Sequence, residues 1–142
     1  MKRFIITILI ILSVAEIVTA KACLENIKIT KVTDGDTVKG IINGKEMSIR
    51  LSGIDCYETS KRDRAYKQAY LNKMSIEDVV KRGKESKEIL TNILNNNKNI
   101  TVRFTDIDKR YNRNVGIIYA GDINVNEYMV QNGGCMMFEY KN

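Results

Sequence analysis

The sequence reads DTVKGIINGKEMSIRLSG at residues 36–53, and this stretch decides the fold. Apolar and polar residues alternate on both sides of Asn43-Gly44, for example at Val38 before the pair and at Ile49 after it. An Asn-Gly pair between two runs of period two is the strongest short signal for a β-hairpin, because both turn residues need a positive φ angle. We therefore predict a hairpin over residues 36–53.

Further strands are predicted on both sides of this hairpin. Ile27 and Ile29 alternate with polar neighbours, so their strand extends the hairpin into a three-stranded meander. Alternation over residues 100–104 predicts a fourth strand, and the apolar run at residues 115–119 predicts a fifth. The charged residues 106–112 between these two strands are expected to form a loop.

Helical patterns separate the third strand from the fourth. Residues 62–73 form a polar helical segment, and Ser75 begins a capping pattern for a longer helix that ends at the asparagine run 95–97. A short third helix is predicted to begin at Asn124 or Asn126. Five strands with helices after the third are typical of the OB type. The predicted fold class is α+β, mainly β: a five-stranded OB-fold Greek-key barrel with inserted and flanking helices.

The N-terminus has the layout of a secretory signal peptide. A charged start precedes an apolar run over residues 4–14, and residues 18–20 end in a small-residue cleavage pattern. We expect a signal peptide over 1–20 and an OB-fold domain over 21–142. The protein would then be secreted, periplasmic or held at the cell envelope, with no stable membrane insertion after processing. An uncleaved anchor and a lipid on Cys23 are the alternatives.

Composition narrows the chemistry that this chain can perform. Its 142 residues include no histidine and three cysteines, and they carry a formal net charge of +6. A basic chain favours polyanions such as nucleic acid, anionic lipid or wall polymers. The absence of histidine excludes serine–histidine and cysteine–histidine catalysis and argues against a structural zinc site. A Cys56–Cys135 disulfide is one of the pairings that the cysteines leave open.

Three carboxylates are the first candidates for chemistry. Asp36 and Asp55 each stand at the end of a predicted strand, beside a tight turn. Calcium prefers several oxygen ligands, usually two or more carboxylates with carbonyls and water. Glu58, three residues after Asp55, is placed to contact a water beside such a metal and to act as a general base. The structural alternative is that all three are ordinary turn, cap and loop residues.

Two arginines, Arg50 and Arg113, are candidates for gripping phosphate, because a guanidinium offers paired donors and stays charged. Arg50 lies between apolar neighbours in a strand, and Arg113 begins a strand after a charged loop. That loop carries Arg110 and Tyr111, which would give a basic rim with one aromatic ring for stacking a base. The alternative is that these arginines point to solvent and that the loop is an ordinary charged cluster.

Four motifs follow one another in a defined order: Asp34-Gly35-Asp36-Thr37, Arg50-Leu51, Ile54-Asp55-x-x-Glu58-Thr59 and Asp108-Lys109-x-Tyr111-x-Arg113. In order and spacing they resemble the staphylococcal nuclease (thermonuclease) family, over roughly residues 27–140. The resemblance implies an OB-fold, calcium-dependent nuclease that acts on DNA and RNA and leaves 3′-phosphate ends. It also implies that Asp36 and Asp55 are the calcium carboxylates, that Cys56 donates a backbone carbonyl to calcium, and that Glu58 activates water.

The resemblance implies roles for the basic residues as well. Arg50 and Arg113 resemble the arginines that stabilise charge on the phosphoryl oxygens, whereas Arg110 and Tyr111 fall where the family contacts substrate phosphate. The chain departs from the family pattern at Cys56-Tyr57, which replaces Thr-Pro and removes the fixed φ angle of proline. It also departs in a longer segment over residues 60–81, expected as an extra helix beside the cleft, and in Asn112, where glycine is common.

We therefore expect a monomeric, secreted, calcium-dependent nuclease with DNA and RNA as substrates. Two other classes of protein would share much of this pattern. One is a non-catalytic nucleic-acid-binding OB-fold module, and the other is a basic surface protein that binds wall polymers. Retention of the complete acid and arginine set favours the enzyme over both.

Overall fold

The computed structural model describes residues 24–139, so the predicted signal peptide, Cys23 and residues 140–142 lie outside it. Its strands are β1 (Glu25–Asn26), β2 (Lys28–Asp34), β3 (Thr37–Ile42), β4 (Lys45–Leu51), β5 (Ile54–Asp55), β6 (Ile100–Asp108), β7 (Arg113–Ala120), β8 (Ile123–Asn124) and β9 (Met136–Met137). Its helices are α1 (Asp63–Asn72), α2 (Ile76–Asn95) and α3 (Val125–Gln131).

The predicted hairpin is confirmed as β3 and β4. The two strands pair from Thr37 opposite Arg50 to Ile42 opposite Lys45. Asn43 and Gly44 connect them with φ angles of 49° and 79°, as the turn requires. Strand β2 pairs with β3, which completes the predicted meander.

The sheet closes on itself because its two edges belong to one continuous stretch of chain. The strand order is β1-β6-β7-β4-β3-β2, and only Ile27 separates β1 from β2. The N-terminal strand therefore pairs with β6 through its start and with β3 through its end. Strands β4 and β7 pair in parallel and so join the β2–β4 meander to the β6–β7 pair. This arrangement confirms the predicted OB-type barrel of five long strands with helices inserted after the third.

Both inserted helices pack to one side of the barrel. Leu90, Ile93 and Leu94 of α2 share one buried cluster with the barrel interior. A second cluster joins α1 and α2 to the chain after β5, through Tyr57, Ala65, Ala69 and Val79. The small alanine side chains let α1 approach closely, so this helix lies beside the loop that follows β5. None of the helices within residues 24–139 combines the length and apolar character needed to cross a bilayer.

The helix starts agree with their predicted caps. The Ser75 side chain accepts a hydrogen bond from the Asp78 amide at 3.0 Å, as a helix N-cap does. Of the two predicted starts for α3, Asn124 is the cap, and its side chain accepts from the Glu127 amide. Both helices therefore begin where side-chain oxygens satisfy free amide groups.

The predicted loop at residues 106–112 is wrong in its first half. Strand β6 continues through a bulge to Asp108, which pairs with Arg113. Charged residues are tolerated in this part of the strand because it is largely exposed, so polarity alone did not mark a loop. The connection shrinks to residues 109–112 and ends at Asn112, whose φ angle is 48°. Asparagine is one of the few residues that adopts this left-handed conformation readily.

Candidate active site

Arg50 is the centre of a buried ionic cluster at the end of the hairpin. Arg50 is only 5% exposed, and its strand, β4, lies between β7 and β3 in the sheet. Nη1 donates to Oδ1 of Asp36 at 2.8 Å, and Nη2 donates to Oδ1 of Asp55 at 3.0 Å. Nη2 also donates to the Ile54 carbonyl at 3.3 Å. The guanidinium therefore joins two carboxylates that are 19 positions apart in the sequence.

Asp36 is buried and fully engaged. Its Oδ1 accepts from Arg50 and from the Thr37 hydroxyl, while its Oδ2 accepts from the Cys56 amide at 2.8 Å. Burial raises the pKa of Asp36 to about 7, although Arg50 acts to lower it. A positive charge placed beside this carboxylate would favour its ionised form.

A second arginine, which the sequence analysis did not identify, joins the remaining carboxylates. Arg64 of α1 forms an ion pair with Asp55 through Nη2 and lies 3.5 Å from Oε1 of Glu58 through Nε. The Arg64 side chain is 45% exposed, whereas those of Asp55 and Glu58 are 16% and 18% exposed. The structure thus brings together Asp36, Arg50, Asp55 and Glu58, four of the five predicted catalytic and metal-binding side chains.

Both inserted helices contact the backbone of the chain segment that carries Glu58. The Gln68 side chain accepts from the Glu58 amide and donates to the Cys56 carbonyl, both at 3.0 Å. Gly83 of α2 lies against the Glu58 carbonyl, where a Cβ atom would overlap it. Glycine at this position therefore permits close packing of α2 against the loop. These contacts fix the direction of the Glu58 backbone.

Cys56 is tied to the C-terminal part of the chain by a disulfide with Cys135, across a sequence separation of 79. Both cysteines are buried. The bridge stands next to the pairing of β5 with β9, in which Asp55 lies opposite Met136. Of the pairings left open by sequence, this one is present, and it anchors the loop that bears Asp55 and Glu58.

Arg113 lies on the same side of the sheet as Arg50. Within the described residues 24–139, however, it makes no contact with the carboxylate cluster of Asp36, Asp55 and Glu58. Arg50 is opposite Val115 in the parallel register, and Arg113 precedes Val115 by two residues. Side chains two positions apart on a strand share a face. The Nη2 atom of Arg113 donates to Asp108 at 2.8 Å, and its buried Nε has no hydrogen-bond partner among the described residues.

The loop before Arg113 presents an aromatic ring close to two guanidinium groups. Arg110 and Arg113 lie 5.3 Å and 4.8 Å from the centre of the Tyr111 ring, which is 60% exposed. Asp108 organises the loop by accepting from the Arg110 and Tyr111 amides. Desolvation acts to raise the pKa of Asp108, but the hydrogen bond and charge of Arg113 outweigh it, and the net shift is downward.

The carboxylate cluster suits a hard cation by its chemistry. Asp36 and Asp55 supply carboxylate oxygens and Cys56 supplies a carbonyl, which are the donor types that calcium prefers. As the side chains stand, no group of three or more His, Cys, Asp or Glu within residues 24–139 is close enough to hold a metal. Arg50 instead bridges the two aspartates, so the guanidinium supplies the positive charge next to both carboxylates.

Sequence reasoning missed Arg64 and Gln68 because both lie in a helix whose polar residues look solvated. The available signal was their spacing of four, which puts them on neighbouring turns of α1. Gln68 is 6% exposed, so this helix buries a polar residue among alanines. A polar residue at a buried helix position indicates a specific partner, here the loop of Glu58.

Comparisons with known proteins agree with this architecture. A family model described as staphylococcal nuclease homologue matches residues 48–142. An uncharacterized protein of Methanocaldococcus jannaschii is 33% identical over 115 residues, which cover 75% of this chain and 56% of the relative. An uncharacterized endonuclease of Escherichia coli O157:H7 is 31% identical over 116 residues, 81% of this chain and 62% of the relative. The chain thus spans about three fifths of each relative's length. It belongs to the staphylococcal nuclease homologue family.

Proposed function

We propose that this protein is a calcium-dependent nuclease that hydrolyses phosphodiester bonds of DNA and RNA and leaves 3′-phosphate ends. The observation that carries the proposal is the convergence of Asp36, Arg50, Asp55 and Glu58 in one cluster. Membership of the family supports it, as does the naming of one relative as an endonuclease. The basic charge of the chain fits a polyanionic substrate.

The residues divide the chemistry between them. Asp36, Asp55 and the Cys56 carbonyl would hold the metal. Calcium, when bound, would polarise the phosphodiester and lower the pKa of the attacking water. Glu58 would accept a proton from that water, because its backbone is fixed while its carboxylate faces the cluster. Its ion pair with Arg64 keeps the carboxylate oriented before substrate arrives.

Arg50 and Arg113 would neutralise the charge that develops on the phosphoryl oxygens. Fixed donors at such positions are usually the largest single catalytic contribution. The Nε atom of Arg113, which lacks a hydrogen-bond partner among the described residues, supports its assignment as a donor to phosphate. Arg110 and Tyr111, whose exposed ring lies close to two guanidiniums, would contact the phosphates and bases next to the scissile bond.

The proposal extends to location and assembly. The Cys56–Cys135 disulfide supports export through the predicted signal peptide, because such bridges persist in oxidising compartments. We propose a secreted or envelope-held monomer that acts on nucleic acid outside the cytoplasm. Measurement of the protein in the medium and the envelope fraction of the producing cell tests the location.

The central experiment incubates purified protein with single-stranded and plasmid DNA and with RNA, in excess calcium or excess chelator. Cleavage only with calcium is expected. The ends are checked with a DNA polymerase, which should extend the DNA products only after phosphatase treatment. Intact but retarded DNA would instead indicate a non-catalytic binding module. Neither cleavage nor retardation would leave the wall-polymer protein as the remaining class.

Two variants with a matched control test the assigned roles. Glu58→Gln should lower turnover by about 10²-fold or more with the fold retained, because the general base is lost. Arg113→Ala should lower it by about 10²-fold. Glu77→Gln makes the same chemical change at an exposed carboxylate that pairs only with Lys61 among the described residues, and it should leave turnover unchanged. Full activity of Glu58→Gln would remove this residue from the mechanism.

A further inference from the structure

Helix α1 has an outer face that neither the fold nor the proposed chemistry uses. Tyr66 and Tyr70 are one turn apart and are 54% and 85% exposed. Large aromatic side chains that face solvent on one helix are unusual, since each forfeits the free energy of burial. The opposite face of α1, with Ala65, Gln68 and Ala69, is buried. The tyrosines are therefore not required by the packing of the helix.

Basic residues outnumber acidic ones in the segment that carries these rings. The segment from residue 62 to residue 73 carries four basic residues and one acidic residue, namely Arg62, Arg64, Lys67, Lys73 and Asp63. Lys67 follows Tyr66 directly, and Arg64 lies on the edge of the helix that meets the carboxylate cluster. Exposed aromatic rings among cations are the combination that binds unpaired nucleotides, because rings stack on bases and cations meet phosphates.

The outer face of α1 is fixed relative to the cleft. Gln68 ties the buried face of the helix to Glu58 and Cys56 by two hydrogen bonds of 3.0 Å. Arg64, two residues before Tyr66, forms ion pairs with Asp55 and Glu58. From Arg64 to Tyr70 the helix rises by only about 9 Å. Because residues two positions apart on a helix point in directions about 200° apart, the tyrosines lie on the flank of α1 away from Arg64, and a strand whose scissile bond lies at Glu58 would cross α1 to reach them.

We propose that Tyr66 and Tyr70, with Lys67 and Arg62, form a binding site for single-stranded nucleic acid on the outer flank of α1, which a strand leaving the cleft reaches by crossing this helix. The inference rests on the proposed nuclease function, because it assigns the same polyanion to this face. Charge complementarity favours nucleic acid, and stacking favours unpaired bases over a duplex. The site would hold the strand beside the cleft while Arg110 and Tyr111 contact it near the scissile bond.

The test measures binding apart from cleavage. Fluorescence anisotropy of a labelled single-stranded oligonucleotide of about twenty nucleotides, in excess chelator, gives Kd without turnover. Tyr66→Ala/Tyr70→Ala should bind about tenfold more weakly, because each stacked base contributes measurably. Tyr66→Phe/Tyr70→Phe keeps both rings and should bind like the wild type. A duplex of the same sequence should bind more weakly than the single strand.

Other outcomes would overturn the proposal. Equal Kd values for the double alanine variant and the wild type would do so, as would equal binding of duplex and single strand. Loss of binding to anionic lipid vesicles, with unchanged DNA binding, would assign the face to membrane instead. Cleavage by the wild type in calcium is scored separately, so an inactive protein whose DNA binding still depends on the tyrosines would refute only the nuclease function. Thermal unfolding of each variant shows that the fold is retained.

Discussion

Removal of the Cys56–Cys135 disulfide should have a large effect on stability and a local effect at the site. The bridge closes a loop of 79 residues, which contains all three described helices and two of the five long barrel strands, β6 and β7. In the chain-entropy model, opening a loop of this length releases about 4.5 kcal/mol of constraint on the unfolded chain. Measured losses for native bridges are usually somewhat smaller, so we expect about 4 kcal/mol.

A loss of this size is easily measured by thermal unfolding. For a domain of this length, 1 kcal/mol corresponds to roughly 3–5 °C, so the midpoint should fall by roughly 15 °C. The assay compares wild type, Cys56→Ala, Cys135→Ala and the double variant, each with and without reductant. Either single substitution opens the bridge, so all three variants should unfold at the same temperature. Reductant should bring the wild type to that temperature and leave the double variant unchanged.

The bridge should also affect the proposed chemistry, because Cys56 follows Asp55 directly and its own amide donates to Asp36. Below its melting temperature the reduced protein should therefore turn over substrate more slowly than the oxidised protein. Two results would refute the reasoning. An unfolding midpoint of the wild type that does not change with reductant would exclude the bridge. Losses of stability that add up from the two single variants to the double variant would show that each cysteine acts through its own packing.

Two further predictions concern residues around the cleft. Gly83→Ala should lower both the unfolding temperature and turnover, because the new Cβ would overlap the Glu58 carbonyl. A gain in the free energy of unfolding of about 1 kcal/mol, the usual effect of this substitution inside a helix, would refute the contact. Asp108 has a lowered pKa: desolvation opposes the shift, but the hydrogen bond and charge of Arg113 and the amides of Tyr111 and Arg110 together outweigh it. The stability from this pair is therefore complete above the unfolded-state pKa near 3.8 and lost as pH falls through the lower folded value. Denaturant unfolding from neutral to acid pH should show Asp108→Asn losing this dependence.

Local patterns predicted most of the elements because each pattern has a local physical cause. The turn at Asn43-Gly44 needs two positive φ angles, and the start of α2 needs the Ser75 cap, so short stretches of sequence were sufficient. Closure of the barrel has no such local cause. It depends on the break at Ile27, which divides the N-terminal strand into β1 and β2, and on the parallel pairing of β4 with β7, which joins segments distant in the sequence. The order of the predicted strands and helices, together with the family resemblance, indicated that closure.

The candidate site divides in the same way. Asp36, Asp55, Glu58 and Arg50 were predicted because their order and spacing resemble a family, and the structure brings these four together. Arg64 stayed hidden because an arginine in a polar helix has no pattern that separates it from a solvated one. Its role arises only when α1 packs against α2 and turns this side chain toward the acids.

The two main departures from the family pattern compensate for each other in the loop after β5. Replacement of Thr-Pro by Cys56-Tyr57 removes the fixed φ angle that would stiffen the segment before Glu58. The cysteine restores a constraint by its bridge to Cys135, and the longer segment supplies α1, whose Gln68 bonds to the backbone on both sides of Tyr57. A general base needs a fixed position more than it needs any one means of fixing it. On the proposed mechanism the inserted helix therefore supports the general base, and its removal would free the loop that proline no longer holds.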